Sequence, residues 1–250
     1  MNKKQLFKAI GETDPELVAE SAAEKKSGRG WIKWACAAAC LALAAGVGLF
    51  LALRAGNGDS ITLEHSTGSV SAEYTDEQPN VGVTMDLIWL TEEQIFSEYQ
   101  TEIFSVTITD VRNIRGTMNG QQSYRAIAAI TVDKVYRGSA VAGDTVTVLL
   151  PCSIGNGEWV EDTGVVSKMR SGMTGIFMPI KYGEDDYLSS VTSMLYLGDL
   201  AEYGFLDGER YAFIDTGEGL VFAQWAFESI RDAETLGDIE QYVLRMLGGE

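Results

Sequence analysis

A single histidine, His65, stands among the 250 residues of this chain. Imidazole is the usual general base of Ser-His-Asp and Cys-His sites and a common zinc ligand. The run around His65 is polar and reads as a linker, so no histidine-based catalysis or zinc site is expected in the folded part. The three cysteines are Cys36, Cys40 and Cys152. The first two lie in an apolar segment, so the outer domain holds one cysteine and no internal disulfide is expected in it; Cys152 suits a buried or edge thiol. Paired carboxylates could still cleave glycosides. Glu158, Glu161 and Asp162 gather around Trp159, and an indole among carboxylates suits a sugar; a solvated acidic loop is the plainer alternative. These four are the expected ligand-contact residues. Glu184-Asp185-Asp186 lacks the EF-hand spacing and reads as a charged turn. Gly155, Gly157 and Gly172 open no helix after a strand, so they make no phosphate-binding fingerprint. The expectation is therefore a protein that is not an enzyme, with no catalytic residues, no cofactor and no metal.

Charge divides the chain. Residues 1–54 carry eight basic and five acidic residues, whereas the remainder holds 11 basic and 31 acidic, a net of −20. An acidic domain repels phosphate backbones, so nucleic acid is not an expected partner.

The run Trp34–Leu53, WACAAACLALAAGVGLFLAL, contains no charge. At 1.5 Å per residue it reaches about 30 Å, the hydrocarbon thickness of a bilayer. Lys25, Lys26, Arg29 and Lys33 precede it and only Arg54 follows closely. The positive-inside rule then predicts a single-pass helix in a bacterial cytoplasmic membrane, N-terminus inside and C-terminal domain outside. Trp31, Lys33, Trp34 and Arg54 are the expected interface residues, and lipid is the expected partner of this helix.

In the N-terminal tail, residues 1–30, Gly11 ends one short helix and Thr13-Asp14-Pro15-Glu16 opens another. Leu6, Phe7, Ile10, Leu17 and Val18 are its candidate partner contacts. The opening MNKKQLFKAIGETDPELVAESA, followed by a basic stretch and WIKWACAAACLALAAG, resembles uncharacterised single-pass membrane proteins of clostridial bacteria, some of them similar to anti-sigma factors. That resemblance implies an anti-sigma-like regulator with a cytoplasmic regulatory partner.

Residues 55–80, rich in Gly, Ser and Thr, read as a polar stalk, with the folded domain, 81–250, beginning beyond it. Thr91-Glu92-Glu93-Gln94 is a capping box opening a short helix. Alternation then predicts strands at Phe104–Thr109, Tyr124–Tyr136, Thr145–Leu150, Gly175–Tyr182, Tyr187–Leu197, Arg210–Asp215 and Leu220–Trp225. Asn113–Gln122 and Pro151–Arg170 read as loops. A shift of apolar parity near Ala128-Ala129 suggests a bulge. Ile239, Val243 and Met246 mark a C-terminal helix over Leu236–Leu247. Consecutive strands without interleaved helices point to an antiparallel barrel. The stretch YRAIAAITVDKVYRGSAVAGDTVTVLLPC, with SGMTGIFMPIKY after it, is similar to the OB-like barrel of tissue-inhibitor and netrin-type modules across residues 103–182, without their paired cysteines.

The fold class expected is thus a single transmembrane helix plus a mainly-β outer domain, an OB-like antiparallel β-barrel with extra strands and a C-terminal helix. The function expected is non-catalytic binding or sensing of a protein, peptide or glycan. A carboxylate-based cell-wall glycan hydrolase and a structural assembly module are the alternatives.

Overall fold

The computed structural model describes residues 60–77, 82–83, 87–155 and 159–248, all within the unit Asn57–Glu250. Two antiparallel strands come first, β1 (Ser60–Ile61) and β2 (Val70–Tyr74). The segment read as a stalk therefore belongs to the folded domain, which starts near Ser60 rather than Val81. The alternation of Val70, Ala72 and Tyr74 explains this, because Ala72 is buried in a core. After β3 (Gly82–Val83) comes helix α1 (Glu92–Ser97), with the expected capping box made by Thr91 and Gln94.

The two longest strands follow, β4 (Ile103–Met118) and β5 (Gln121–Arg137). They meet at Asn119-Gly120, whose φ values of 53° and 80° suit a two-residue hairpin of the I′ type. The loop expected over Asn113–Gln122 is in fact mostly strand, since Ile114 is buried and Arg115 pairs with Glu73 and Glu77. Register passes from Ile108 opposite Ile130 to Asp110 opposite Ala129, so Thr109 is the extra residue. The bulge expected at Ala128-Ala129 thus sits on the facing strand.

Beyond the hairpin lie β6 (Thr145–Leu150), β7 (Trp159–Val160), β8 (Thr174–Phe177) and β9 (Ile180–Lys181). A second hairpin is formed by β10 (Tyr187–Ser189) and β11 (Met194–Tyr196). Then β12 (Tyr203–Gly204), β13 (Ala212–Asp215), β14 (Leu220–Val221) and helix α2 (Leu236–Met246) complete the chain. A Thr235–Asp238 capping box starts α2 where the periodicity predicts it.

Ten strands make one sheet, ordered β14-β13-β8-β4-β5-β6-β12-β9, with β2 and then β1 added beside the far half of β4. β4 is long enough to pair with β8 through Phe104–Thr107 and with β2 through Ile114–Met118. The step from β6 to β12 is parallel. This corrects the antiparallel OB-like barrel: the sheet is mixed, and its hydrogen-bonded path runs open from β14 to β9. A parallel pair needs a crossover, and the chain between β6 and β12 supplies one.

Both faces of the sheet are covered. On β5, Ala126, Ala128, Ile130 and Val132 enter the main core with α2 residues Ile239 and Val243, whereas Ile127 joins Ala72, Ile114, Leu149 and Leu195 in a second core. Burial on both sides accounts for the continuous apolar run Ala126–Ile130, which defeats a simple alternation. Tyr242 of α2 donates to Glu92 of α1 at 2.6 Å, joining the two helices.

The membrane anchor is corrected as well. Among the described residues no helix is long and apolar enough to cross a membrane. The two α-helices, of six and eleven residues, fall short of the ~20 that a span requires. The expected span Trp34–Leu53, its interface residues Trp31, Lys33, Trp34 and Arg54, and the tail contacts Leu6, Phe7, Ile10, Leu17 and Val18 lie outside the described residues. The single-pass fold class, the membrane keywords and the membrane location are therefore set aside.

Candidate functional site

His65 is not in a linker. It follows β1 on a segment that runs beside β11 and the 3₁₀ turn Leu197–Asp199. Close packing against the β10–β11 hairpin holds that segment. Thr67 and Met194 form a two-way backbone bridge, at 2.8 and 2.9 Å. Gly68 adopts φ 82°, and a side chain there would collide with Thr192 and Ser193. Asn119, at the tip of the β4–β5 hairpin, accepts from Ser193 Oγ at 2.6 Å, fixing the β10–β11 hairpin against the first.

Asp199 is the centre of this arrangement. Its side chain is 2% exposed. Oδ2 accepts from Ser66 N at 2.8 Å and Ser66 Oγ at 2.6 Å, and Oδ1 meets His65 Nδ1 at 2.8 Å. The His65 backbone N–H also points at the carboxylate. Burial disfavours the charged form, but the hydrogen bonds from Ser66 and His65 outweigh it and hold the Asp199 carboxyl below its ordinary range. In turn, the hydrogen bond to Asp199 and then its charge raise His65 above 6.5, against a smaller opposing effect of desolvation. A carboxylate only accepts, so Nδ1 carries the proton and Nε2 is the acceptor of the neutral ring. The imidazole is 72% exposed.

His65 lines a cleft of about 710 Å³ together with Glu64, Tyr182, Glu184, Tyr196 and Asp199, with Thr62, Gly183 and Gly198 between them. Tyr196 stands edge-on to His65 at 6.4 Å and leans on its cross-strand partner Tyr187 at 5.5 Å. Tyr182 is placed by Gly204: a side chain at that glycine would overlap the Tyr182 hydroxyl. Burial pushes the Tyr182 phenol up to about 12, so it remains neutral at physiological pH. Gly204→Ala should displace Tyr182 and cost about 1–3 kcal/mol, the usual range for overpacking. Urea unfolding would measure the loss, and an unchanged midpoint would contradict the packing described.

The expected contact loop lies elsewhere. Trp159 is in β7, opposite Gly82. Glu161 and Asp162 follow in a turn where Asp162 takes φ 57°, and Glu158 is outside the described residues. Glu161 and Asp162 are not among the residues that line the cleft. Sequence alone does not disclose the cleft, because His65 stands in a polar stretch and Asp199 lies 134 positions away. The strand-like spacing of Ile61, Leu63 and His65 is the signal that would have found the first. Among the described residues no group of His, Cys, Asp and Glu is arranged to hold a metal ion. No family model matches this chain, nor does a curated protein or a solved structure.

Proposed function

We propose that this domain is a recognition module whose cleft takes a cationic group, the ammonium or guanidinium of a basic peptide. One observation carries the reading: the cleft combines the exposed carboxylates Glu64 and Glu184 with the rings of Tyr182 and Tyr196, and among the described residues no lysine or arginine lines it. Carboxylates attract a cation through space, while a tyrosine face stabilises it at contact range. The excess of acidic residues over the whole chain, 36 against 19 basic, steers such a ligand inward.

Tetralysine titrated into the full chain by calorimetry should give a saturable isotherm. Glu64→Gln with Glu184→Gln should weaken it roughly tenfold, equivalent to about 1.4 kcal/mol. The remote exposed pair Glu218→Gln with Glu234→Gln should leave it unchanged. Equal losses in the two double variants would mean that general acidity, not this cleft, binds the peptide.

A further inference from the structure

The cleft contains one group whose charge changes near neutral pH. Imidazole is the side chain that ordinarily gains or loses a charge between about pH 5 and 8. His65, the only histidine in the chain, is one of the cleft's lining residues. Its setting suits a change of charge without a change of shape. Nδ1 donates to Asp199 Oδ1 at 2.8 Å whether the ring is neutral or protonated, because only Nε2 gains the new proton. Asp199 is a fixed partner: Ser66 N and Ser66 Oγ hold its other oxygen. The ring itself is open to water, so its proton exchanges without any opening of the fold. Charge reaches the ring from each element packed around it. Glu64 precedes it on its own segment, Asp199 ends the 3₁₀ turn, and Glu184 lies in the loop after β9. Tyr196 of β11 stands beside it, while Arg125 and Asp186 act on the Tyr182 phenol.

We propose that protonation of His65 switches this cleft from capture to release, so that a basic peptide is held in neutral to mildly alkaline solution and let go on acidification. The inference rests on the cation reading of the cleft and adds the regulation of that site. With the ring neutral, the carboxylates of Glu64, Glu184 and Asp199 face the ligand uncompensated. A proton on His65 offsets one of them and sets a positive ring against the incoming ammonium or guanidinium. One added charge, a few ångströms from a ligand at a solvated surface, weakens binding roughly three- to tenfold. Because the positive charge is shared by both ring nitrogens, the repulsion needs no reorientation of the imidazole. Asp199 favours the protonated ring, which places the transition above 6.5, so a modest acidification from neutral pH is enough.

Calorimetry of the full chain with tetralysine capped by acetyl and amide groups tests this. The only titrating groups of that ligand are side-chain amines of pKa about 10.4, so its charge is constant from about pH 5.5 to 8.5. Across that range its affinity should fall roughly three- to tenfold on acidification, with a midpoint above 6.5. His65→Gln should flatten the dependence. Asp199→Asn should move the midpoint to lower pH, because the ring loses its carboxylate partner, and it decides alone should His65→Gln fail to fold. Affinity level with pH in the wild-type chain would overturn the switch and leave the cation site standing. So would a fall that persists in His65→Gln, or a midpoint that Asp199→Asn leaves in place. Binding at no pH would overturn the cation site, and the switch with it.

Discussion

Arg210→Ala should destabilise the domain by about 3–5 kcal/mol, the cost of removing one partner from a buried ion pair. Arg210 and Asp207 side chains are 6% and 3% exposed, and both Nε and Nη2 of Arg210 reach Asp207 Oδ2 at 2.8 Å. The other oxygen of Asp207 accepts the backbone N–H groups of Glu209 and Arg210. Without the guanidinium, the carboxylate keeps two amide partners and loses its countercharge, while the Ile88 carbonyl loses its donor. A domain of this size is ordinarily stable by about 5–15 kcal/mol, so roughly a fifth or more of the margin is at stake. Asp207→Asn combined with Arg210→Met should recover part of the loss, since asparagine still accepts the two amides and methionine fills the space of the arginine stem. Urea denaturation measures both. A loss under about 1 kcal/mol in Arg210→Ala would show the pair to be solvated, in the range of surface ion pairs.

The second large effect belongs to Asp199. Asp199→Ala should cost about 2–3 kcal/mol, because it strands Ser66 N–H and Ser66 Oγ and releases His65 from its carboxylate. The loss should depend on pH. His65 binds its proton more tightly in the fold, so its contribution is full below 6.5 and fades as pH rises through the raised folded value. Asp199 ionises more readily in the fold, so its contribution is present above 3.8 and fades as pH falls through the depressed one. The contact is therefore strongest between about pH 4 and 6.5. The gap between the stability curves of the wild-type chain and Asp199→Ala should be widest inside that window and narrow on either side, leaving the Ser66 contribution at high pH. Parallel curves from pH 4 to 9 would mean that the two groups are uncoupled.

What the sequence disclosed followed local rules. Thr91 to Gln94 announces α1, Ile239, Val243 and Met246 announce α2, and the β13–β14 hairpin lies where Arg210–Asp215 and Leu220–Trp225 place it. Each of these depends on neighbours a few residues apart. Long-range burial was not legible. Ala126–Ile130 is apolar on both faces because two cores flank β5, and no single window shows the second core. Asn119-Gly120 is a strong hairpin signal, yet the surrounding glycines and polar residues made the whole stretch look like a loop. The strands at 60–61 and 70–74 were hidden by their polar, half-exposed composition, which an edge strand tolerates. Misreading them removed the only histidine from the folded domain and with it the cleft. Trp89 and Trp225 are distant in sequence, yet their ring centroids lie 6.5 Å apart, a proximity that no local window shows.

The His65 imidazole gives the most direct test of the cleft, because the chain has no other histidine to confuse its proton resonances. The full chain would be titrated by NMR from pH 5 to 9, alone and with excess n-butylammonium. A cation held beside Glu64 and Glu184 opposes a second positive charge on the ring, and linkage makes the effect reciprocal. Alone, His65 should titrate above 6.5; with the amine, its midpoint should fall, and the fall should vanish in Glu64→Gln with Glu184→Gln. A midpoint that the amine leaves unmoved would contradict a cation site at this cleft.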